Sequence, residues 1–159
     1  MAGVHVVGHD SSGMARINDQ EGSKFDASVE MVWKYLQSPE AHGNAHTGAR
    51  NRAMKPLTDS SFVVSWEQNM NGTWVKVANR ISVFPPLGMV VEALEGPMTG
   101  SKMFNVYTPH GNKTEVSVFG DMQAAGVPPG HLEPMVREFW EKAYNEDNAG
   151  IREFTKHPK

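Results

Sequence analysis

The sequence predicts an α+β fold: a curved antiparallel sheet of about six or seven strands wraps a long C-terminal helix, and two short helices follow the first strand. Three observations predict it. From Phe62 to Val118 apolar and polar residues alternate in short runs separated by turn signals, as half-buried antiparallel strands require. From His131 to about Phe154 the apolar period lengthens to that of a helix. Ahead of the strands stands a capped helical segment that a proline closes.

The elements follow in order. Residues 1–12, with an apolar stretch Val4–Val7 before Gly8, Asp10, Ser11 and Ser12, read as a loosely attached lead-in to a single domain spanning 1–159. Met14–Phe25 is a first strand, and Ser28 is then an N-cap whose hydroxyl can accept an unpaired amide of the first turn. Val29, Val32, Trp33 and Leu36 follow at helical spacing until Ser38-Pro39 ends the helix, because the residue before proline avoids the helical region. Pro39, at a first helical position, opens a second short helix to about Ala45.

Beyond residue 47 the period becomes two. Phe62, Val64, Trp66 and Gln68 alternate with their neighbours, and Asn71-Gly72 signals a hairpin. In the next strand Thr73, Val75, Val77, Asn79, Ile81 and Val83 share the inward face. Pro85-Pro86-Leu87-Gly88 interrupts, two strands follow over Met89–Leu94 and Lys102–Thr108, and His110-Gly111-Asn112 turns into a last strand carrying Thr114, Val116 and Val118. A Gly/Pro-rich link, Ala124–Gly130, leads to the long helix, whose stripe is Leu132, Met135, Val136, Phe139, Trp140, Ala143 and Tyr144. Pro134 falls near its start, where proline is tolerated, and Gly150 weakens its last turns.

Composition narrows the function classes. With 39% hydrophobic and 21% charged residues among 159, the chain lies well inside the globular regime. A net charge of −3 and scattered basic residues leave no footprint for a phosphate backbone, so no nucleic-acid partner is expected. No apolar run reaches the ~20 residues of a membrane span, and MAGVHVVGHD lacks the basic start and apolar core of a secretory leader, which together point to a cytoplasmic protein. The absence of cysteine excludes disulfides, thiolate metal sites and cysteine nucleophiles. Gly-x-Ser-x-Gly, P-loop and dinucleotide motifs are missing too.

The segment FDASVEMVWKYLQSPEAH carries the one family likeness. Its Asp26, Ala27, Val29, Val32, Trp33, Leu36, Ser38 and Pro39 resemble the signature of the polyketide cyclase and lipid-transport branch of the Bet v 1-like, or START-like (SRPBCC), helix-grip superfamily. The resemblance implies a cavity between sheet and terminal helix that takes a small hydrophobic molecule. Superfamily members range from lipid carriers to cyclases, ring-hydroxylase domains and chaperone activators, and fold alone does not choose among them. The Gly-rich loop of plant members is absent, Leu57–Ser61 reading LTDSS at that place.

A sheet curled around one helix leaves a space that the helix does not fill. The residues expected to line it, and so to bind ligand, are Trp66, Val77, Asn79, Ile81, Met103, Tyr107, Met135 and Phe139, with Val75 and Val83 completing the wall. Ten methionines suit an irregular ligand. Asn79 interrupts an apolar face and could orient a ligand carbonyl or hydroxyl; Glu92 is a second polar candidate, and Lys142 lies beside the stripe of the long helix. No cofactor is expected, with one alternative: His42 and His46, spaced i, i+4, would hold a divalent metal if Asp59 or Glu67 supplied a carboxylate. A lipid or polyketide binder with cyclase-like chemistry, a metal-dependent enzyme and a protein-interaction module are therefore the three functional expectations, the last requiring a filled interior.

Overall fold

The period-two segments join into one antiparallel sheet in the computed structural model, which describes residues 5–9, 15–18, 23–43 and 45–156. The elements run β1 (His5–His9), β2 (Ala15–Asn18), β3 (Ser23–Phe25), α1 (Val29–Leu36), β4 (Ala49–Thr58), β5 (Ser61–Met70), β6 (Thr73–Phe84), β7 (Gly88–Glu95), β8 (Lys102–His110), β9 (Lys113–Met122) and α2 (Pro129–Lys156). Across the sheet the order is β1-β2-β9-β8-β7-β6-β5-β4, with β3 also paired to β9. From β4 to β9 the chain is a meander. The N-terminal strands then close the far edge, β2 against the last residues of β9 and β3 against its first.

The expected first strand is thus two short pieces lying end to end along β9, and part of the stretch read as a lead-in forms edge strand β1. Counting β2 and β3 as one interrupted strand leaves a seven-stranded curved sheet with an extra edge piece. The second short helix is not formed. His42 N–H donates to Ser38 O (3.0 Å) and Gly43 N–H to Pro39 O (3.1 Å), but Ala45 N–H then turns back to His42 O, so residues 39–43 and 45–47 lie in tight turns and bends. A Cβ on Gly43 would fall 2.1 Å from Pro39 O, so this path requires glycine.

β4 carries almost no alternation signal, reading ARNRAMKPLT with Pro56 inside it. It forms because it is the sheet's other edge: proline costs no ladder bond on the open side, and charged side chains suit an exposed strand. The expected hairpin is present, with both Asn71 (φ 52°) and Gly72 (φ 89°) in the left-handed region that a two-residue turn between twisted strands demands. Ser28 caps α1, its hydroxyl accepting from Met31 N–H at 3.4 Å.

The core gathers on one side of the sheet. Val32 and Tyr35 of α1, Met122 of β9, and Leu132, Val136 and Ile151 of α2 are fully buried. α2 packs on α1 and on β1–β3. Trp33 links α1 to the sheet, its indole donating to Pro86 O (2.9 Å) and meeting the Tyr107 ring edge-on at 5.4 Å. Over β4–β6 the cover is thin: the buried apolar core draws only Ala78 from those three strands.

Candidate functional site

Strand register decides which side chains face the helix. Directly opposed residues in an antiparallel pair share a face. Trp66 lies opposite Val77, Val64 opposite Asn79 and Phe62 opposite Ile81 between β5 and β6; Asn79 then meets Ala93, Ile81 meets Val91 and Val83 meets Met89 on β7. Val91 pairs with Met103, Met89 with Asn105 and, on β9, Tyr107 with Val116. Because Met89, Val91, Met103, Tyr107 and Val116 belong to the buried core, this is the concave face. Trp66, Val77, Asn79, Ile81, Met103 and Tyr107, expected as cavity residues, all lie on it.

Exposure along that face is graded. Met103 and Tyr107 are buried, whereas Trp66, Val77, Asn79 and Ile81 are only half-buried. Met135 is half-buried against the core, and Phe139 is 52% exposed. Phe139 lies one turn beyond Met135 and two turns before Glu146, so the three share an edge of α2. Glu146 reaches Thr47, so the far end of this edge meets the chain just before β4.

The polar groups on this wall are few. Trp66 Nε1–H donates to Gln68 Oε1 at 3.2 Å, which fixes the indole plane. Burial, then the negative charge of Asp147, push the Tyr107 phenol well above its ordinary range, while a hydrogen bond with the Asn105 side chain pulls the other way. Tyr107 is therefore a neutral hydroxyl. Asn105 was not among the expected residues, yet its Oδ1 is buried with no partner. Its signal lay in K-M-F-N-V-Y, where Asn105 alternates in phase with Met103 and Tyr107. Glu92, by contrast, faces the other side of the sheet: it pairs with Arg80, and its carboxylate binds Arg80 Nε (2.5 Å) and Lys102 Nζ (3.4 Å).

A second constellation gathers where the turns after α1 meet α2. His42 Nε2 and His46 Nε2 are 3.3 Å apart, and each lies 3.5 Å from Asp147 Oδ1. His46 Nδ1 is 2.9 Å from Glu146 Oε2, and the other oxygen of that carboxylate accepts from the Thr47 hydroxyl at 2.8 Å. Tyr35 donates its hydroxyl to Asp147 Oδ1 at 3.2 Å. Tyr35 reaches that oxygen by crossing Gly150, where a Cβ would sit 2.4 Å from the phenol oxygen. Burial, then the Asp147 carboxylate, raise the Tyr35 phenol well beyond its ordinary value, so it stays a donor. Burial also lowers the His42 imidazole, outweighing the opposing pull of Asp147. Burial disfavours ionisation of Glu146, but hydrogen bonds from His46 and Thr47 outweigh it and hold the carboxyl below the usual range.

The third group beside the two histidines is thus Asp147, not Asp59 or Glu67. Asp59 sits in the exposed turn between β4 and β5, and Glu67 is engaged on the edge hairpin by Arg50 Nε (3.0 Å) and by the Asn51 amide. The i, i+4 spacing did bring the two imidazoles together, although by tight turns rather than by a helix. Lys142 is exposed, its ammonium 3.9 Å from Glu146.

No protein-family model matches the chain, and no curated protein matches it. Solved structures do. The Zhui aromatase/cyclase from Streptomyces sp. R1128 superposes with a TM-score of 0.73 at 12% identity, covering 89% of this chain and 96% of that one. A START superfamily protein from Mycobacterium smegmatis gives a TM-score of 0.71 at 13% identity, covering 89% and 98%. Ara h 8.0201 gives 0.65 at 9% identity, covering 95% and 99%. At such identities the likeness is one of fold: this chain has the Bet v 1-like helix-grip architecture. No helix among the described residues is long and apolar enough to cross a membrane.

Proposed function

We propose that this chain binds a small, predominantly apolar molecule of the lipid or polyketide kind on the concave face of β5–β8, beneath the Met135–Phe139 edge of α2. The observation that carries this reading is the graded wall. Ile81 lies in register with buried Val91 and Met103, and Val77 and Trp66 share its face, yet all three remain half-exposed. Apolar surface left facing a concavity gains about 25 cal/mol per Å² when a ligand covers it. Asn79 and the Tyr107 hydroxyl can donate to a ligand carbonyl or hydroxyl, and the free Oδ1 of Asn105 can accept from a ligand hydroxyl, so together they fix the pose in an otherwise apolar setting.

Cyclase-like chemistry would follow from the same arrangement. Holding a reactive chain in one folded conformation lowers its barrier, and a neutral Tyr107 can donate a hydrogen bond to a developing oxyanion while keeping its proton. The name of the Zhui neighbour, an aromatase/cyclase, supports this class of reaction. An interaction module would call for a filled concave side, which the half-exposed wall disfavours.

Fluorescence titration with 1-anilinonaphthalene-8-sulfonate tests the reading. The expected result is saturable binding that Val77→Asp weakens about tenfold or more, because a carboxylate would be desolvated under the probe. The convex-face control Val90→Asp should leave binding unchanged. Equal affinity in both variants, or no saturable binding, would overturn the proposal.

A further inference from the structure

Two imidazoles and a carboxylate that aim ligand atoms at one point invite a cation. We infer that His42, His46 and Asp147 form a binding site for one divalent transition-metal ion of the zinc type, with Glu146 and Tyr35 orienting the ligands. The three donor atoms, His42 Nε2, His46 Nε2 and Asp147 Oδ1, make a nearly equilateral triangle with sides of 3.3, 3.5 and 3.5 Å. A tetrahedral ion bound at about 2.0–2.1 Å separates neighbouring ligand atoms by about 3.3–3.4 Å. The triangle is therefore one face of such a tetrahedron without any movement of the chain.

The surrounding hydrogen bonds fix which nitrogen carries the proton. Glu146 accepts at His46 Nδ1 (2.9 Å), so the neutral ring keeps its N–H there and turns the Nε2 lone pair inward. His42 also presents Nε2 to the cluster, while its ring hydrogen-bonds the Leu36 carbonyl. Carboxylate–imidazole and carbonyl–imidazole pairs of this kind are what hold metal-binding histidines in orientation. Without a metal, a proton on one Nε2 can bridge the two rings at 3.3 Å; with both Nε2 atoms unprotonated, two lone pairs and a carboxylate oxygen face one another, an arrangement that a cation would stabilise.

Local charge agrees. Glu146 attracts the Arg52 guanidinium, whose Nη2 donates to His46 O at 3.2 Å, and the exposed ammonium of Lys142 lies 3.9 Å from Glu146. Neither cation touches the three inward atoms. The ligand set comes from two parts of the chain about a hundred residues apart, so the ion would also pin the turns after α1 to α2. Each imidazole side chain is about a third exposed (32% and 30%), which leaves solvent access for a fourth ligand such as water. Three protein ligands with one open position are the pattern of zinc sites that activate water. The inference stands apart from the apolar wall, sharing no residue with it.

The test uses the full chain expressed without a polyhistidine tag, stripped with EDTA, and titrated with Zn²⁺ by calorimetry and with Co²⁺ by visible absorption. The expected result is one ion per chain and an intense tetrahedral Co²⁺ spectrum. His46→Ala and the isosteric Asp147→Asn should each abolish that spectrum, and Glu146→Gln should weaken Zn²⁺ binding about 10- to 100-fold while keeping one site. Asp59→Ala and Glu67→Ala should change nothing. Circular dichroism of Asp147→Asn, which keeps the shape and the Tyr35 contact, separates lost binding from lost folding. Absence of stoichiometric binding, an octahedral spectrum only, or affinity unchanged in folded Asp147→Asn would overturn the inference.

Discussion

The two halves of the sheet are built from similar strands and end in different physical states. In the β7–β9 half, roofed by α1 and α2, apolar residues at alternate positions are buried: Met89, Val91, Met103, Tyr107, Val116 and Val118. In the β4–β6 half the same alternation leaves Val64, Trp66, Val77 and Ile81 half-exposed, and β4 exposes Met54 at 58%. A helix 28 residues long covers only the strands it crosses. One half thus supplies stability, and the other leaves the apolar surface on which the proposed ligand would take the place of the missing roof.

Truncations break or sharpen that contrast. Ile151→Ala in the roofed half should destabilise the protein by about 2–5 kcal/mol in urea unfolding, because a fully buried side chain leaves a cavity. Ile81→Ala, half-exposed, should cost less, about 1–2 kcal/mol. Equal losses would mean that the open half is as well packed as the closed one.

Gly150→Ala is expected to be the next largest effect, a loss of about 1–3 kcal/mol despite alanine's better helix propensity, since the new Cβ would press on the rigid, buried Tyr35 phenol. Stabilisation instead would show that Tyr35 is free to move, and with it the contact to Asp147. Asn148→Ala should cost about 1–3 kcal/mol, because the buried Asn148 Oδ1 accepts Asp26 N–H at 3.1 Å.

The smallest expected effect concerns acid. Hydrogen bonds from Lys113 and then Arg152 hold the Asp26 carboxyl below its usual range. A depressed folded value adds stability above the unfolded value of about 3.9, lost as pH falls through the folded one. Asp26→Asn should therefore flatten the acid limb of a stability–pH curve while leaving the neutral plateau lowered only slightly, since the carboxylate is partly exposed.

The alternation of β5–β9 and the stripe of α2 were legible because burial on one face writes a period into sequence. That same period placed Trp66, Val77, Asn79, Ile81, Met103 and Tyr107 on the concave side. β4 was not legible: an edge strand buries little, so ARNRAMKPLT records no face. The segment after Pro39 has helix-like spacing, yet its glycine serves a tight turn, a choice made by tertiary packing. Asp147 could not be found beside His42 and His46, because nothing local links residues about a hundred positions apart. Gly150, read as a weak point of α2, is instead the gap through which Tyr35 reaches that aspartate.

Methyl NMR of protein labelled at isoleucine and valine, titrated with 1-anilinonaphthalene-8-sulfonate, addresses the open half most directly. The Val64, Val77 and Ile81 methyls should shift with a common saturation curve, while those of Val136 and Ile151 in the roofed core stay fixed. Shifts confined to the convex-face methyls of Val90 and Val106, or none at all, would contradict a ligand site beneath the edge of α2.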